Sequence, residues 1–198
     1  MNYPVMERFK TLQGEGMHAG VSAWFIRLAG CDVGCAWCDV KESWPADAHP
    51  LVPVADLVAE AVSAQTRIVV ITGGEPLMYD CGPLTEALRE AGCTVHLETS
   101  GAHPLTGTWD WITFSPKRFK APLPGIYEVA DELKVVVVNR QDLDWAETHA
   151  AQLKAGAGKL MQPEWSRRER LHSVLTEYIA RHPEWRLSLQ THKYLGIP

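Results

Sequence analysis

Short apolar runs rich in β-branched residues alternate along this chain with segments whose apolar residues recur three and four positions apart. The first pattern predicts strands and the second predicts helices. The predicted strands are residues 22–28, 67–72, 94–99, 111–115, 133–138, 159–162 and 185–190. The predicted helices are residues 53–65, 82–92, 142–155 and 169–181. Because the two types alternate, we expect an α/β fold with a mostly parallel sheet and right-handed crossovers.

The number of predicted elements is too small for a complete eight-stranded barrel. Such a barrel typically takes roughly 250 residues, whereas this chain has 198. An incomplete barrel or an open α/β sheet remains, formed as one domain. In either architecture, ligands bind just beyond the carboxyl ends of the strands.

Six of the predicted strands are followed by polar or glycine-rich segments. These segments are a three-cysteine loop at 31–38 and residues 73–76, 99–101, 115–117, 162–165 and 191–198. Because the carboxyl ends of parallel strands meet at one edge of a sheet, we expect these segments to form a single site.

Composition excludes several classes of protein. Apolar residues make up 46% and charged residues 22% of the chain, which is typical of a folded globular protein. The net charge of −5 comes without any basic run, so no nucleic-acid partner is expected. No apolar stretch approaches the roughly 18 residues of a membrane span. Since the amino terminus also lacks a signal-peptide core, we expect a cytoplasmic protein with reduced thiols and no membrane partner.

Cys31, Cys35 and Cys38 form the most specific feature of the sequence. A disulfide would leave one thiol over, and a redox pair at C-x-x-C would leave Cys31 unused. A structural zinc ion needs four ligands, although His18 or His49 could approach through space. An iron–sulfur cluster held by three cysteines leaves one iron without a protein ligand, where a small molecule can bind. We favour the cluster.

The C-x-x-x-C-x-x-C spacing resembles the cluster motif of the radical S-adenosylmethionine (SAM) superfamily. The Gly-Gly-Glu-Pro segment at 73–76 is similar to the second motif of that superfamily. The resemblance implies a [4Fe-4S] cluster whose open iron binds the methionine moiety of SAM. It also implies cleavage of SAM to a 5′-deoxyadenosyl radical that abstracts hydrogen, within an incomplete, modified radical-SAM (β/α) barrel over residues 1–198.

Further segments narrow the resemblance. They are residues 11–16, 27–39, 72–76, 97–101, 115–117 and 190–198. Together they are similar to the 7-carboxy-7-deazaguanine synthase family. Membership implies a lyase that contracts 6-carboxy-5,6,7,8-tetrahydropterin to 7-carboxy-7-deazaguanine with loss of ammonia, for queuosine and related 7-deazapurine biosynthesis. It implies catalytic use of SAM, a homodimer, and a reducing partner such as flavodoxin or ferredoxin.

The resemblance also implies roles for individual residues. The cluster ligands are Cys31, Cys35 and Cys38. The SAM-binding residues are Trp37, Cys38, Asp39, Gly74, Glu75, Ser100, Ser115, Pro116, Lys117, Gln162, Pro163, Glu164 and Trp165. The substrate-binding residues are Leu12, Gln13, Gly14, Glu15, Arg27, Thr72, His192 and Pro198. Among these, Arg27 is expected to hold the substrate carboxylate and Glu75 the SAM ammonium group.

Val40 departs from the family pattern. Family members commonly have Thr or Ser at this position, and that hydroxyl coordinates Mg²⁺ beside the substrate. Valine offers no oxygen, whereas Mg²⁺ requires oxygen ligands. A backbone carbonyl, Asp39 or water could substitute, so the sequence leaves Mg²⁺ open.

The sequence leaves one further side chain and two further functions undecided. Lys134 either points into the barrel mouth or ends a strand in solvent, whereas His96 is expected to be a core histidine. A radical-SAM activase that generates a glycyl radical on a partner protein would share the small size and the cluster motif. A non-enzymatic iron–sulfur or zinc-binding module would share the cysteines.

Overall fold

The computed structural model describes residues 1–198. Its strands are β1 (Asn2–Leu12), β2 (Ser22–Leu28), β3 (Leu51–Pro53), β4 (Ile68–Gly73), β5 (Thr94–Thr99), β6 (Trp111–Phe114), β7 (Glu132–Val137), β8 (Gly158–Pro163) and β9 (Trp185–Leu187). Its α-helices are α1 (Val54–Ser63), α2 (Gly82–Glu90), α3 (Ile126–Val129), α4 (Gln141–Ala150), α5 (Arg168–Arg181) and α6 (Thr191–Leu195). Single 3₁₀ turns lie at Lys41–Ser43, Ala46–Ala48, Pro76–Met78 and Trp165–Arg167.

All nine strands belong to one sheet, in the order β3-β1-β2-β4-β5-β6-β7-β8-β9. The pairings from β2 to β9 are parallel, whereas β1 is antiparallel to both β2 and β3. The edge strands β3 and β9 do not pair, so the barrel is not closed. The expectation of an incomplete α/β barrel with a mostly parallel sheet is therefore confirmed. None of the six helices combines the length and the apolar character needed to cross a bilayer.

The helices cover one face of the sheet and leave the other for the site. Side chains along a strand alternate between the two faces. In β4, Val69 and Ile71 pack with Leu57 of α1 and Leu84 of α2 in one apolar cluster. Between them, Val70 points to the opposite face. Each of the fully buried leucines contributes about 1.5–3 kcal/mol to folding.

The opposite, concave face is polar toward its upper end. Arg27, Thr72, Glu98, Lys134 and Gln162 stand on it, one from each of five parallel strands, and all line the same cavity. Arg27 and Thr72 are direct neighbours in the β2–β4 register. Charged side chains are seldom buried unless they are paired, so the inner face indicates a binding site.

Several segments differ from the expectation, among them helix α3, which was not predicted, and helix α4, which ends at Ala150 rather than at residue 155. β1 was not predicted, because only its first part is apolar and its remaining residues are half-buried on a curled edge. β3 is only three residues long. The predicted strand 185–190 ends at Leu187, since Ser188 and Gln190 turn inward to bond Gln162 and Glu15. The short helix α6 was also missed, because five residues have little helical tendency of their own.

Candidate active site

One cavity of about 500 Å³ opens at the carboxyl ends of the parallel strands. Every residue assigned above to the cluster, SAM, the substrate or Mg²⁺ lines this cavity, with the exception of Pro116. Pro116 is buried behind the wall, between Ser115 and Lys117, which do line it. The ring of Pro116 fixes the turn between these two neighbours, and its contact with SAM stays a prediction.

The loop after β2 holds the three cysteines at one end of the cavity. It begins at Gly30, whose φ of 98° only glycine adopts easily, and Cys31 donates its backbone N–H to the Trp44 carbonyl at 3.2 Å. The Cys38 N–H donates to the Cys35 carbonyl at 3.1 Å, which closes a turn between these two cysteines. The backbone therefore fixes the loop without help from a metal.

The spread of the three sulfur atoms favours a cluster over a single metal ion. They do not all lie within 4.8 Å of one another, and no His, Asp or Glu completes such a group with them. Four thiolates bound to one zinc ion at about 2.3 Å would lie roughly 3.8 Å apart. A wider set of three thiols with no fourth ligand fits an iron–sulfur cluster with one open iron.

Burial keeps the Cys31 and Cys35 thiols protonated. It raises the pKa of Cys35 to about 11, and the neighbouring thiols Cys38 and Cys31 raise it further although Lys117 opposes them. Burial also raises the pKa of Cys31. Bound iron would reverse this situation, because a thiol that coordinates a metal loses its proton.

The two glycines after β4 let this strand end pass against the cysteine loop. A Cβ on Gly73 would lie 2.0 Å from the Leu28 carbonyl oxygen, and one on Gly74 would lie 2.1 Å from that of Gly30. The Gly74 and Glu75 N–H groups donate to those same carbonyls at 2.9 and 2.8 Å. Any larger residue would push the two loops apart, so packing alone requires glycine at both positions.

Glu75 is held by four protein donors. Its Oε1 accepts from the Leu77 N–H at 3.1 Å and the Thr99 hydroxyl at 2.6 Å, and its Oε2 accepts from the N–H and the hydroxyl of Ser100. A carboxylate has about four acceptor positions, so this one is fully used. An incoming SAM ammonium group would have to displace one of these donors. In this structure, Glu75 joins the ends of β4 and β5.

A buried charge network forms the opposite wall. Lys134 Nζ lies 2.6 Å from Glu15 Oε2 and 2.7 Å from Glu98 Oε2. Glu98 also accepts from the Gln13 amide at 3.0 Å, and Glu15 accepts from Gln190 at 2.8 Å. These residues come from four distant parts of the chain, and Lys134 is the only cation among them.

The pKa values in this network follow from its geometry. Burial alone would raise the pKa of Glu15, but the Lys134 ammonium outweighs it and lowers that pKa to about 2. Burial would likewise lower the pKa of Lys134, but the two carboxylates raise it. Glu15 and Lys134 are therefore both charged at neutral pH.

Arg27 extends from β2 into the cavity, and only part of its guanidinium group bonds to other residues of the protein. Its Nε lies 2.5 Å from Glu7 Oε1, and its guanidinium carbon lies 5.9 Å from the centre of the Phe9 ring. The two terminal nitrogens have no hydrogen bond within the chain. They form the kind of fork that binds a carboxylate.

Residues at the ends of β6 and β8 also line the cavity. Lys117 Nζ donates to the backbone oxygen and the hydroxyl of Ser115, both at 2.6 Å, and lies 5.8 Å from the Trp37 ring centre. Gln162 accepts from the Ser188 hydroxyl at 2.8 Å. Burial lowers the pKa of Lys117, as expected for a lysine enclosed by this wall.

Helix α6 covers the cavity. Thr191 donates its N–H and its hydroxyl to the Gly14 carbonyl at 2.9 and 3.0 Å. A Cβ on Gly14 would lie 2.1 Å from His192 Nδ1, so only glycine admits the helix here. The Thr11 hydroxyl donates to the Pro198 carbonyl at 3.1 Å. The chain end is thereby brought to the loop that follows β1.

The polar groups around Val40 already bond to one another. The Val40 carbonyl accepts from the N–H and the hydroxyl of Ser43, at 3.1 and 2.7 Å. Next to it, Asp39 Oδ2 lies 2.6 Å from Lys193 Nζ and 3.3 Å from the Gln190 amide nitrogen. The position expected for a Mg²⁺ ligand therefore offers no free oxygen from Val40.

Four charged or amide side chains of the cavity were missed or left open by the sequence analysis: Glu98, Lys134, Gln190 and Lys193. Glu98 and Lys134 had a visible signal, since each is a charged residue inside an otherwise apolar strand. Gln190 and Lys193 lie in a segment that resembles the family but had no role, because their partners Glu15 and Asp39 are far away in sequence.

An open, mostly parallel α/β barrel with three cysteines after its first parallel strand defines a radical SAM protein. In agreement, the model of the Radical SAM superfamily matches residues 25–118. The 7-carboxy-7-deazaguanine synthase of Synechocystis sp. is 53% identical over 197 residues, which cover 100% of this chain and 94% of that protein. The enzyme of the same name from Escherichia coli K12 is 38% identical over 227 residues, covering 100% of both chains.

The fold agrees with a solved relative. The crystal structure of QueE from Escherichia coli superposes with a TM-score of 0.85 at 37% identity, covering 97% of this chain and 95% of that one. The chain belongs to the 7-carboxy-7-deazaguanine synthase family.

Proposed function

We propose that this protein converts 6-carboxy-5,6,7,8-tetrahydropterin to 7-carboxy-7-deazaguanine with loss of ammonia, using SAM catalytically. One observation carries the proposal: a single cavity joins three thiols suited to a [4Fe-4S] cluster to a wall of amides and carboxylates. Full-length similarity to enzymes named for this product supports it.

The polar wall suits a pterin. The aminopyrimidinone ring of a pterin has several N–H donors along one edge, and the carboxylates of Glu15 and Glu98 are acceptors on the cavity wall. Gln13 adds an amide that can donate and accept. The terminal nitrogens of Arg27 are available for the carboxylate of the substrate. This division of roles explains why the cavity holds both a network of carboxylates and a guanidinium group whose two terminal nitrogens are free.

When bound, the cluster and SAM supply the one-electron chemistry that begins with hydrogen abstraction. The protein's own residues bind, orient and enclose. Cys31, Cys35 and Cys38 hold the iron, and Glu75 fixes the neighbouring strand ends. Helix α6 places His192 and Lys193 on the cavity wall, where they can orient the substrate.

Further attributes belong to the same proposal. We infer one radical-SAM domain over residues 1–198, a homodimer, a cytoplasmic location and a low-potential electron donor such as flavodoxin or ferredoxin. Family membership supports each of them. Mg²⁺ is left out of the cofactor set, because the oxygen atoms around Val40 do not fit it.

The test is anaerobic incubation of reconstituted protein with the pterin, SAM and a reductant, followed by mass spectrometry of the product. We expect 7-carboxy-7-deazaguanine from the wild type. Cys38→Ser should form none, because it loses a cluster ligand. Cys93→Ser is the matched control, since Cys93 lies outside the cavity, and it should retain activity. Cleavage of SAM without pterin turnover would instead favour an activase, and a colourless zinc protein would favour a binding module.

A further inference from the structure

The surroundings of Val40 do not fit a divalent cation. Valine has no side-chain oxygen, and both acceptor positions of its carbonyl are used by Ser43. The nearest carboxylate, Asp39, already has an ammonium group 2.6 Å from its Oδ2. Mg²⁺ demands near-octahedral oxygen ligands. A Mg²⁺ ion here would gain one carboxylate oxygen at most and would be repelled by Lys193.

The Lys193 ammonium group is well placed to act as the cation in the part of the cavity beside Val40. Its Nζ contacts Asp39 Oδ2 at 2.6 Å and Gln190 Oε1 at 3.2 Å, and lies 5.1 Å from the Trp165 ring centre. Its side chain is 21% exposed and lines the cavity beside Val40. An ammonium group has three donors, so one remains for a ligand.

The ammonium group is not needed to fasten helix α6. The two hydrogen bonds from Thr191 to the Gly14 carbonyl and the fit of His192 against Gly14 already attach the helix to the loop after β1. Lys193 therefore has a fixed position, although other contacts attach the helix. A fixed charge that is free of a structural task can serve a ligand.

We propose that the Lys193 ammonium supplies the positive charge that Mg²⁺ would otherwise bring beside the substrate, so that this protein turns over without a divalent cation. The inference rests on the proposed function. Lysine is a compact, strongly hydrated point charge, as a metal ion is, and it can stabilise an anionic oxygen of the substrate directly. Arg27, which stands on β2, then binds the substrate carboxylate as a separate cation.

The first experiment measures metal binding without turnover. Mn²⁺ replaces Mg²⁺ as an EPR-visible probe and is titrated into cluster-loaded wild-type protein and Val40→Thr, with pterin present. We expect Mn²⁺ binding only by Val40→Thr, because a hydroxyl restores an oxygen ligand. Equal binding by the two proteins would overturn the proposal, and this readout holds even if the pterin is not turned over.

The second experiment measures turnover after treatment with a chelating resin. The wild-type rate should change less than twofold when Mg²⁺ is added back. Lys193→Met should lose about a hundredfold in kcat, as removal of one stabilising donor commonly does, and Lys193→Arg should recover part of the loss. Lys10→Met is the matched control, because Lys10 is exposed and outside the cavity.

The double variant Val40→Thr with Lys193→Met distinguishes the positive charge of Lys193 from any part that its side chain has in attaching helix α6. If the charge matters, Mg²⁺ should restore most of its turnover. A variant that stays inactive with Mg²⁺, or wild-type protein that stops without it, would contradict the proposal. A wild type that cleaves SAM but makes no product would instead refute the proposed function, and the Mn²⁺ comparison would still stand.

Discussion

Replacement of Lys134 by methionine tests the buried charge network most sharply. The substitution keeps an unbranched side chain only one atom shorter and removes the ammonium group, which contacts Glu15 at 2.6 Å and Glu98 at 2.7 Å. The side chain of Lys134 is only 4% exposed, and those of its partners are 17% and 19% exposed. Two carboxylates would therefore remain close together with no counter-ion.

The expected cost follows from this burial. Breaking a buried ion pair by removing one partner destabilises a protein by about 3–5 kcal/mol. Lys154 provides the matched control, because its pair with Asp131 is 37% and 28% exposed. Lys154→Met should cost less than about 1 kcal/mol, as exposed pairs do. Urea denaturation of the anaerobic proteins gives both values.

The pH dependence provides a second readout of the same change. In the wild type, the pKa of Glu15 is lowered to about 2, so its contribution is complete above its ordinary value and is lost as pH falls toward 2. Without Lys134, burial raises that pKa, and a proton taken up at mild acidity relieves the repulsion. The cost of Lys134→Met should therefore be smaller at pH 5 than at pH 8. A loss below about 1 kcal/mol at pH 8, or one independent of pH, would show that Lys134 does not neutralise these carboxylates.

Three further substitutions test other parts of the site and fold. Gly14→Ala places a methyl group against His192 and should displace helix α6, raising the KM for the pterin in steady-state assays while the cluster spectrum is unchanged. Arg27→Lys removes the guanidinium fork and should raise the same KM roughly tenfold, with a smaller effect on kcat. Burial lowers the folded-state pKa of His96 to about 4, so the unfolded chain binds more protons below about pH 6.5. The free energy of unfolding should fall between pH 6.5 and 4, and His96→Gln should make that fall shallower; an unchanged slope would contradict the assignment.

The parallel part of the fold could be predicted because its strands are short, mainly apolar runs that alternate with helical patterns. β1 could not be predicted, because its second half is a half-buried edge where apolar and polar residues show no clear alternation. Helix α6 depends on docking of Thr191 against Gly14, a contact between opposite ends of the chain. Such contacts leave no local pattern.

Like the fold, the site has one part that the sequence predicts and another that it does not. The three cysteines and the two glycines at the end of β4 have fixed local spacing, so their place in one site could be predicted directly. The network of Lys134 with Glu15 and Glu98 joins residues that are 119 and 36 positions apart, and only the strand order brings them together. Three of the four donors to Glu75 likewise come from another strand end, which is why its structural role was missed.

The proposed chemistry depends on three thiolates that leave one iron of a [4Fe-4S] cluster open for SAM. Electron–nuclear double resonance on the reduced cluster can detect this bond, with SAM labelled with ¹⁵N at its amino group and ¹⁷O at its carboxylate. We expect hyperfine coupling of both labels to the cluster in the wild type. Absence of coupling with SAM bound, or a fourth protein ligand on that iron, would exclude the open coordination position.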